Sequence, residues 1–179
     1  MNELMDLKER MEHERPAQWH ELPDIALYMD QIIAYMPRQL IRFDDREALT
    51  SAMVNNYIKD GLLPRAEGKR YRASHLAYLT AICAMKRVLT VREVKTLLSA
   101  CDPEGKPDSF YSRFCQALDE ALDNTARTVE QPREDEDLAG LALTLALRSY
   151  ADQLACTRLL DILGQQGQPQ QDKPEKAKK

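Results

Sequence analysis

The stretch LTSAMVNNYIKDGLLPRAEGKRYRASHL, residues 49–76, decides how the rest of the chain is read. Thr50 or Ser51 can cap a helix over roughly 51–60, because a hydroxyl accepts from amides that the first turn leaves unbonded. Gly61 is the residue type that takes the left-handed position after a helix end. Leu62 can then fold back onto the helix, and Pro64 prevents continuation. Val54, Tyr57 and Ile58 share one face of this helix, whereas Ser51, Asn55, Asn56 and Lys59 lie largely on the other. The spacing predicts that the apolar face docks and that the amide-bearing face stays free. PRAEGKRYR, residues 64–72, reads as a small β-wing or a plain loop with Gly68 near its tip. A helix over about 74–87 follows, carrying Leu76, Leu79, Ile82 and Cys83.

Upstream, Leu4, Leu7 and Met11 mark an amphipathic helix over 3–14 that Pro16 ends. Trp19, Leu22 and Pro23 form an apolar link. Asp24 can cap a helix reaching Met36, with Ile25, Tyr28, Met29, Ile32 and Ile33 at helical spacing and Pro37 as its stop. Residues 42–48 read as a polar loop. Downstream, Thr90 and Glu93 form a capping box that opens a helix to about Ala100, striped by Val91, Val94, Leu97 and Leu98. After a loop at 101–108, Phe110, Phe114, Leu118 and Leu122 stack along a helix over about 108–124.

The polar run TARTVEQPRED, 125–135, reads as a linker. A long final helix over about 135–163 has Leu138, Leu141, Leu145, Tyr150, Leu154, Leu159 and Leu163 on more than one face. It needs two burial partners. One is its own domain; the other is a second subunit, or both faces close within one monomer. The expected organisation is an N-terminal helical arm at 1–19, a central domain at 20–100, a helical dimerisation or effector region at 101–163, and a disordered tail at 164–179.

The expected fold is mostly α. Only six glycines occur in 179 residues, and good helix formers dominate. No 18-residue apolar run is present, so no membrane span is expected. The charged start MNELMDLKERMEHER lacks a secretory signal core, so a cytoplasmic location is the expectation. Cys83, Cys101, Cys115 and Cys156 are widely spaced and read as free thiols. Their spacing with His13, His20 and His75 does not support a metal site. There is no phosphate-cradling Gly loop, no H-E-x-x-H and no G-x-S-x-G, and the loop pair Asp44-Asp45 lacks a partner. The chain therefore reads as a non-enzyme with no cofactor.

Net charge is −4, but it is unevenly spread. Residues 42–95 carry eleven Lys or Arg against six Asp or Glu, a net of +5. The remainder carries fourteen against twenty-three, a net of −9. A basic module in an acidic chain is compatible with nucleic acid, because binding follows the local field.

The order of these elements resembles the DNA-binding domain of MerR-type transcription regulators. The resemblance covers residues 20–100. It rests on Val54, Tyr57, Gly61, Leu62, Pro64, Arg70 and Tyr71, then Leu89, Thr90, Glu93, Val94, Lys95 and Leu98. LPDIALYMDQ at 22–31 and MVNNYIKDGLLP at 53–64 are more closely similar to an uncharacterised bacterial family of MerR-like winged-helix proteins. The resemblance implies a winged helix-turn-helix domain with helix 51–60 in the major groove and turn 64–72 on phosphates. Two departures stand out. Asn55 occupies the place of an arginine typical of MerR-type proteins, and the C-terminal part lacks their long antiparallel coiled coil and metal-binding cysteines.

An Asn amide presents a donor and an acceptor side by side, which matches adenine in the major groove. Ser51, Asn55, Asn56 and Lys59 can offer such groups to bases. Arg65, Lys69, Arg70 and Arg72 in the turn suit backbone phosphates. Tyr57 can pack its ring inward and turn its hydroxyl to phosphate, and Tyr71 is either a lid on the core or a DNA contact. The expected partners are double-stranded DNA, a second copy of the chain in a homodimer, and an unknown small-molecule effector. The alternative is a protein-interaction adaptor of winged-helix shape that binds no DNA.

Overall fold

A computed structural model describes residues 2–43, 48–130 and 137–166. The described chain is mostly helical. Its helices are α1 (Asn2–His13), α2 (Met29–Tyr35), α3 (Ser51–Lys59), α4 (Ala73–Met85), α5 (Val91–Cys101), α6 (Pro107–Glu130) and α7 (Leu138–Gln166). Among the described residues, extended pairing is confined to two single bridges, Leu27 with Tyr71 and Glu67 with Arg70.

α4 is the central rod. Leu76, Ala77, Leu79, Ala81 and Ile82 are all fully buried, as is Thr80, whose hydroxyl donates to the Leu76 carbonyl. α2, α3, α5 and α6 add Ile32, Val54, Tyr57, Val94, Leu98, Phe110 and Tyr111 to the same core. The rings of Tyr78, Phe110, Phe114 and Tyr111 stack in sequence between α4 and α6. The single proton of the Tyr111 hydroxyl is shared between Gln39 Oε1 at 3.1 Å and the Ala17 carbonyl at 3.0 Å, so the buried Gln39 amide has a partner. α1 lies along α6, tied to it by the Lys8–Glu130 ion pair and, two residues past its end, by Arg15–Asp119.

Two stretches differ from the sequence reading. Residues 24–27 are not helical, and α2 begins only at Met29. Leu27 instead exchanges both backbone hydrogen bonds with Tyr71, each at 2.8 Å. Gln31 Oε1 then accepts from the Tyr28 amide and closes the first turn of α2. Ile25 and Tyr28, expected on the apolar stripe, are consequently exposed. In the second case, residues 125–130 continue α6, because Ala126 and Val129 are buried and extend its inner face. Residues 44–47 of the polar loop, 131–135 of the linker, and the tail beyond Gln166 fall outside the described residues.

Candidate nucleic-acid interface

α3 is fixed at both ends. Thr50 Oγ1 accepts from the Met53 amide at 3.2 Å. At the other end Gly61 has φ +72°, the Leu62 amide donates to the Tyr57 carbonyl and the Gly61 amide to the Ile58 carbonyl. This is a Schellman motif, with Leu62 buried beneath it. Lys95 of α5 adds an ammonium group, its Nζ donating to the Asp60 carbonyl at 2.8 Å. A cation at a helix C-terminus contributes roughly 0.3–1 kcal/mol.

With Val54 and Tyr57 buried, the outer face of α3 presents Ser51, Asn55, Asn56 and Lys59 to solvent. The chain then makes a two-residue hairpin turn. Glu67 and Arg70 exchange backbone hydrogen bonds at 3.0–3.1 Å, and Gly68 and Lys69 both have positive φ, +56° and +64°. That pair of left-handed residues gives a hairpin the twist its flanking strands need. The bridge from Tyr71 to Leu27 adds a third extended segment behind the turn.

His75 fastens the base of this hairpin to α4. Its Nδ1 accepts from the Arg72 amide at 3.0 Å, and its Nε2 lies 3.4 Å from the Arg65 carbonyl. The arrangement fits a neutral imidazole protonated at Nε2. Burial holds its pKa below the usual histidine value. Tyr71 packs edge-on against the same ring at 5.3 Å.

The four turn cations are not equivalent. Arg65 and Lys69 are exposed and enter no ion pair among the described residues. Arg72 is paired with Glu67 at 2.9 Å, both side chains exposed. The guanidinium of Arg70 sits 4.5 Å over the ring of Tyr28 and donates to its hydroxyl at 2.8 Å. Tyr57 and Tyr71 are buried, at 5% and 4% exposure, so both belong to the core rather than to the exposed face. The exposed members of the candidate interface are therefore Ser51, Asn55, Asn56, Lys59, Arg65, Lys69, Arg70 and Arg72. Sequence reasoning missed Tyr28, His75 and Lys95 as supports. Tyr28 and Lys95 act on residues 42 and 35 positions away, which no local pattern shows, whereas His75 reaches back only three residues to the cap of α4.

These features define a mostly helical chain in which a short polar-faced helix and a basic hairpin are braced by a buried core. Residues 17–114 match DUF1836, a domain of unknown function, and the chain belongs to that family. Comparison with curated proteins and with solved structures gave no match.

Proposed function

We propose that the chain is a cytoplasmic DNA-binding transcription regulator of the MerR-like winged-helix type. α3 enters the major groove, the 64–72 hairpin acts as a wing on phosphates, and no catalysis is involved. One observation carries this reading. The face of α3 that bears two amides, a hydroxyl and a lysine is exposed, while the next turn of chain is a tight hairpin bearing four cations. Asn55 and Asn56 suit adenine edges; Arg65 and Lys69 are the cations left to meet phosphate.

A single short helix reads too few base pairs for a strong operator, and a two-fold dimer doubles the contacts at half-sites one helical turn apart. α7 offers the surface for a second copy. Leu143, Leu147, Tyr150 and Leu154 are exposed and spaced four, three and four residues apart, the interval of a coiled-coil seam.

Fluorescence anisotropy of labelled duplexes across a salt series tests the reading. Arg65→Ala and Lys69→Gly each lower the log–log salt slope by about 0.9 per lost phosphate contact. Asn55→Ala relaxes base preference, a good amide–adenine pair being worth about 1–3 kcal/mol of discrimination. A chain with no salt-dependent duplex affinity sinks the regulator reading. It leaves the adaptor, which the exposed leucines of α7 and the Arg72–Glu67 pair favour.

A further inference from the structure

The hairpin that carries the turn cations is held at its base. A Cβ added to Gly68, at its tip, would meet nothing within 4 Å. The return strand is grasped from two sides. Leu27 exchanges both backbone hydrogen bonds with Tyr71, and the His75 ring accepts from the next amide, that of Arg72. His75 is the third residue of α4 and Arg72 its N-cap. One ring therefore closes the start of that helix and holds the end of the hairpin. Its other nitrogen faces the Arg65 carbonyl, at the beginning of the same hairpin, from 3.4 Å. Both ends of the hairpin thus meet on one imidazole that is only 3% exposed.

The polarity of these contacts selects one protonation state. A backbone N–H only donates, so Nδ1 must keep its lone pair, and the single ring proton of the neutral form sits on Nε2, toward the Arg65 carbonyl. A second proton, on Nδ1, sets a donor against the Arg72 amide and leaves the Arg65 side intact. Glu67 and Arg72 act on the ring with opposite sign and are paired with each other at 2.9 Å. Tyr71, packed edge-on against the ring, is neutral, its pKa raised by burial. We propose that His75 is a proton-sensitive latch, which positions the hairpin while neutral and releases its return strand at Arg72 when protonated. The latch belongs to the fold; its bearing on duplex affinity rests on the DNA-binding reading above. A ring freed by opening takes its second proton near the usual histidine value of 6.5, whereas burial holds the latched ring lower. Opening is therefore favoured progressively as pH falls from 6.5 to that lower value.

Hydrogen exchange of the Arg72 amide, followed by NMR on the full chain and corrected for the intrinsic pH dependence of exchange, tests the latch. Wild-type protection falls by up to about tenfold per pH unit below 6.5. The amide of Ile82, fully buried in α4, stays better protected throughout. His75→Gln keeps an acceptor suited to an N-cap amide but cannot titrate, so its Arg72 protection is the same at both ends of the range. Wild-type protection that does not change with pH overturns the proposal, as does an equal change in His75→Gln. Equal protection of Arg72 and Ile82 also overturns it, because the hairpin then leaves only when the whole chain unfolds. The exchange measurement contains no DNA, so failure of the regulator reading leaves the latch intact. Duplex affinity carries the coupling. Protonating the exposed His13 and His20 favours a polyanion, whereas a loosened hairpin opposes it, so wild-type affinity falls relative to His75→Gln as pH drops. If the two chains keep the same affinity ratio while the Arg72 amide is released, the coupling to DNA is overturned and the latch stands.

Discussion

α4 and α7 are both apolar around more than one side, yet α4 buries seven of its thirteen residues, whereas among the described side chains of the twenty-nine-residue α7 only Leu141 and Leu160 are buried. α4 is surrounded by α2, α3, α6 and the hairpin base, each supplying side chains to it. α7 packs one stripe against the α5 region, where Gln153 reaches the Val88 carbonyl, and leaves the leucines of its other face in water. The same composition therefore makes a core in one place and an unpartnered surface in another. What differs is how many neighbours the chain itself provides.

The largest test of this contrast is a truncation on each helix. Leu79→Ala empties a fully buried position and costs about 2–5 kcal/mol by urea denaturation. Leu147→Ala, at an exposed position, stays within about 0.5 kcal/mol in the dilute monomer. Equal losses would break the comparison. Gly61→Ala comes next. It forces a side chain into a left-handed backbone, at about 1–2 kcal/mol, and brings its Cβ to 3.2 Å from Lys95 Nζ. Thermal denaturation reads the loss.

The polar member of α4 sharpens the contrast further. His75 has a folded-state pKa depressed by burial. Its contribution to stability is present above the unfolded value near 6.5 and is lost as pH falls through the folded one. Stability measured from neutral to mildly acidic pH falls, by less than the Leu79→Ala loss, and His75→Gln flattens that part of the profile. The smallest expected change in stability comes from Tyr150→Glu on α7. It leaves the monomer's midpoint nearly unmoved but shifts the sedimentation coefficient to that of a monomer at micromolar concentration. A wild-type chain that is already monomeric there removes the second-copy reading of α7.

The legible parts of the molecule are those written locally. Thr50, Gly61 and Pro64 bound α3, and Thr90 with Glu93 opens α5, because caps act over three or four residues. The division of α3 into a buried Val54–Tyr57 face and an exposed Asn55–Asn56 face follows from the 3.6-residue period alone. Residues 24–27 were misread because Asp24, Ile25 and Tyr28 imitate a capped helix, while the bond that overrides them comes from Tyr71, 44 residues onward. Residues 125–130 were misread because Thr125, Arg127 and Thr128 mask a helical stripe of only Ala126 and Val129. In the candidate interface, the sequence names the cations. It does not show that Arg72 spends its charge on Glu67, or that Arg70 is laid across Tyr28.

The Lys95 contact has one more consequence. An ammonium rooted on another helix satisfies the Asp60 carbonyl, which Pro64, four residues on, has no N–H to reach. The end of the polar rod, set locally by Gly61 and Pro64, is thus also fastened from 35 positions away. The helix that presents the amides is thereby joined at its tip to α5, which presents none of them.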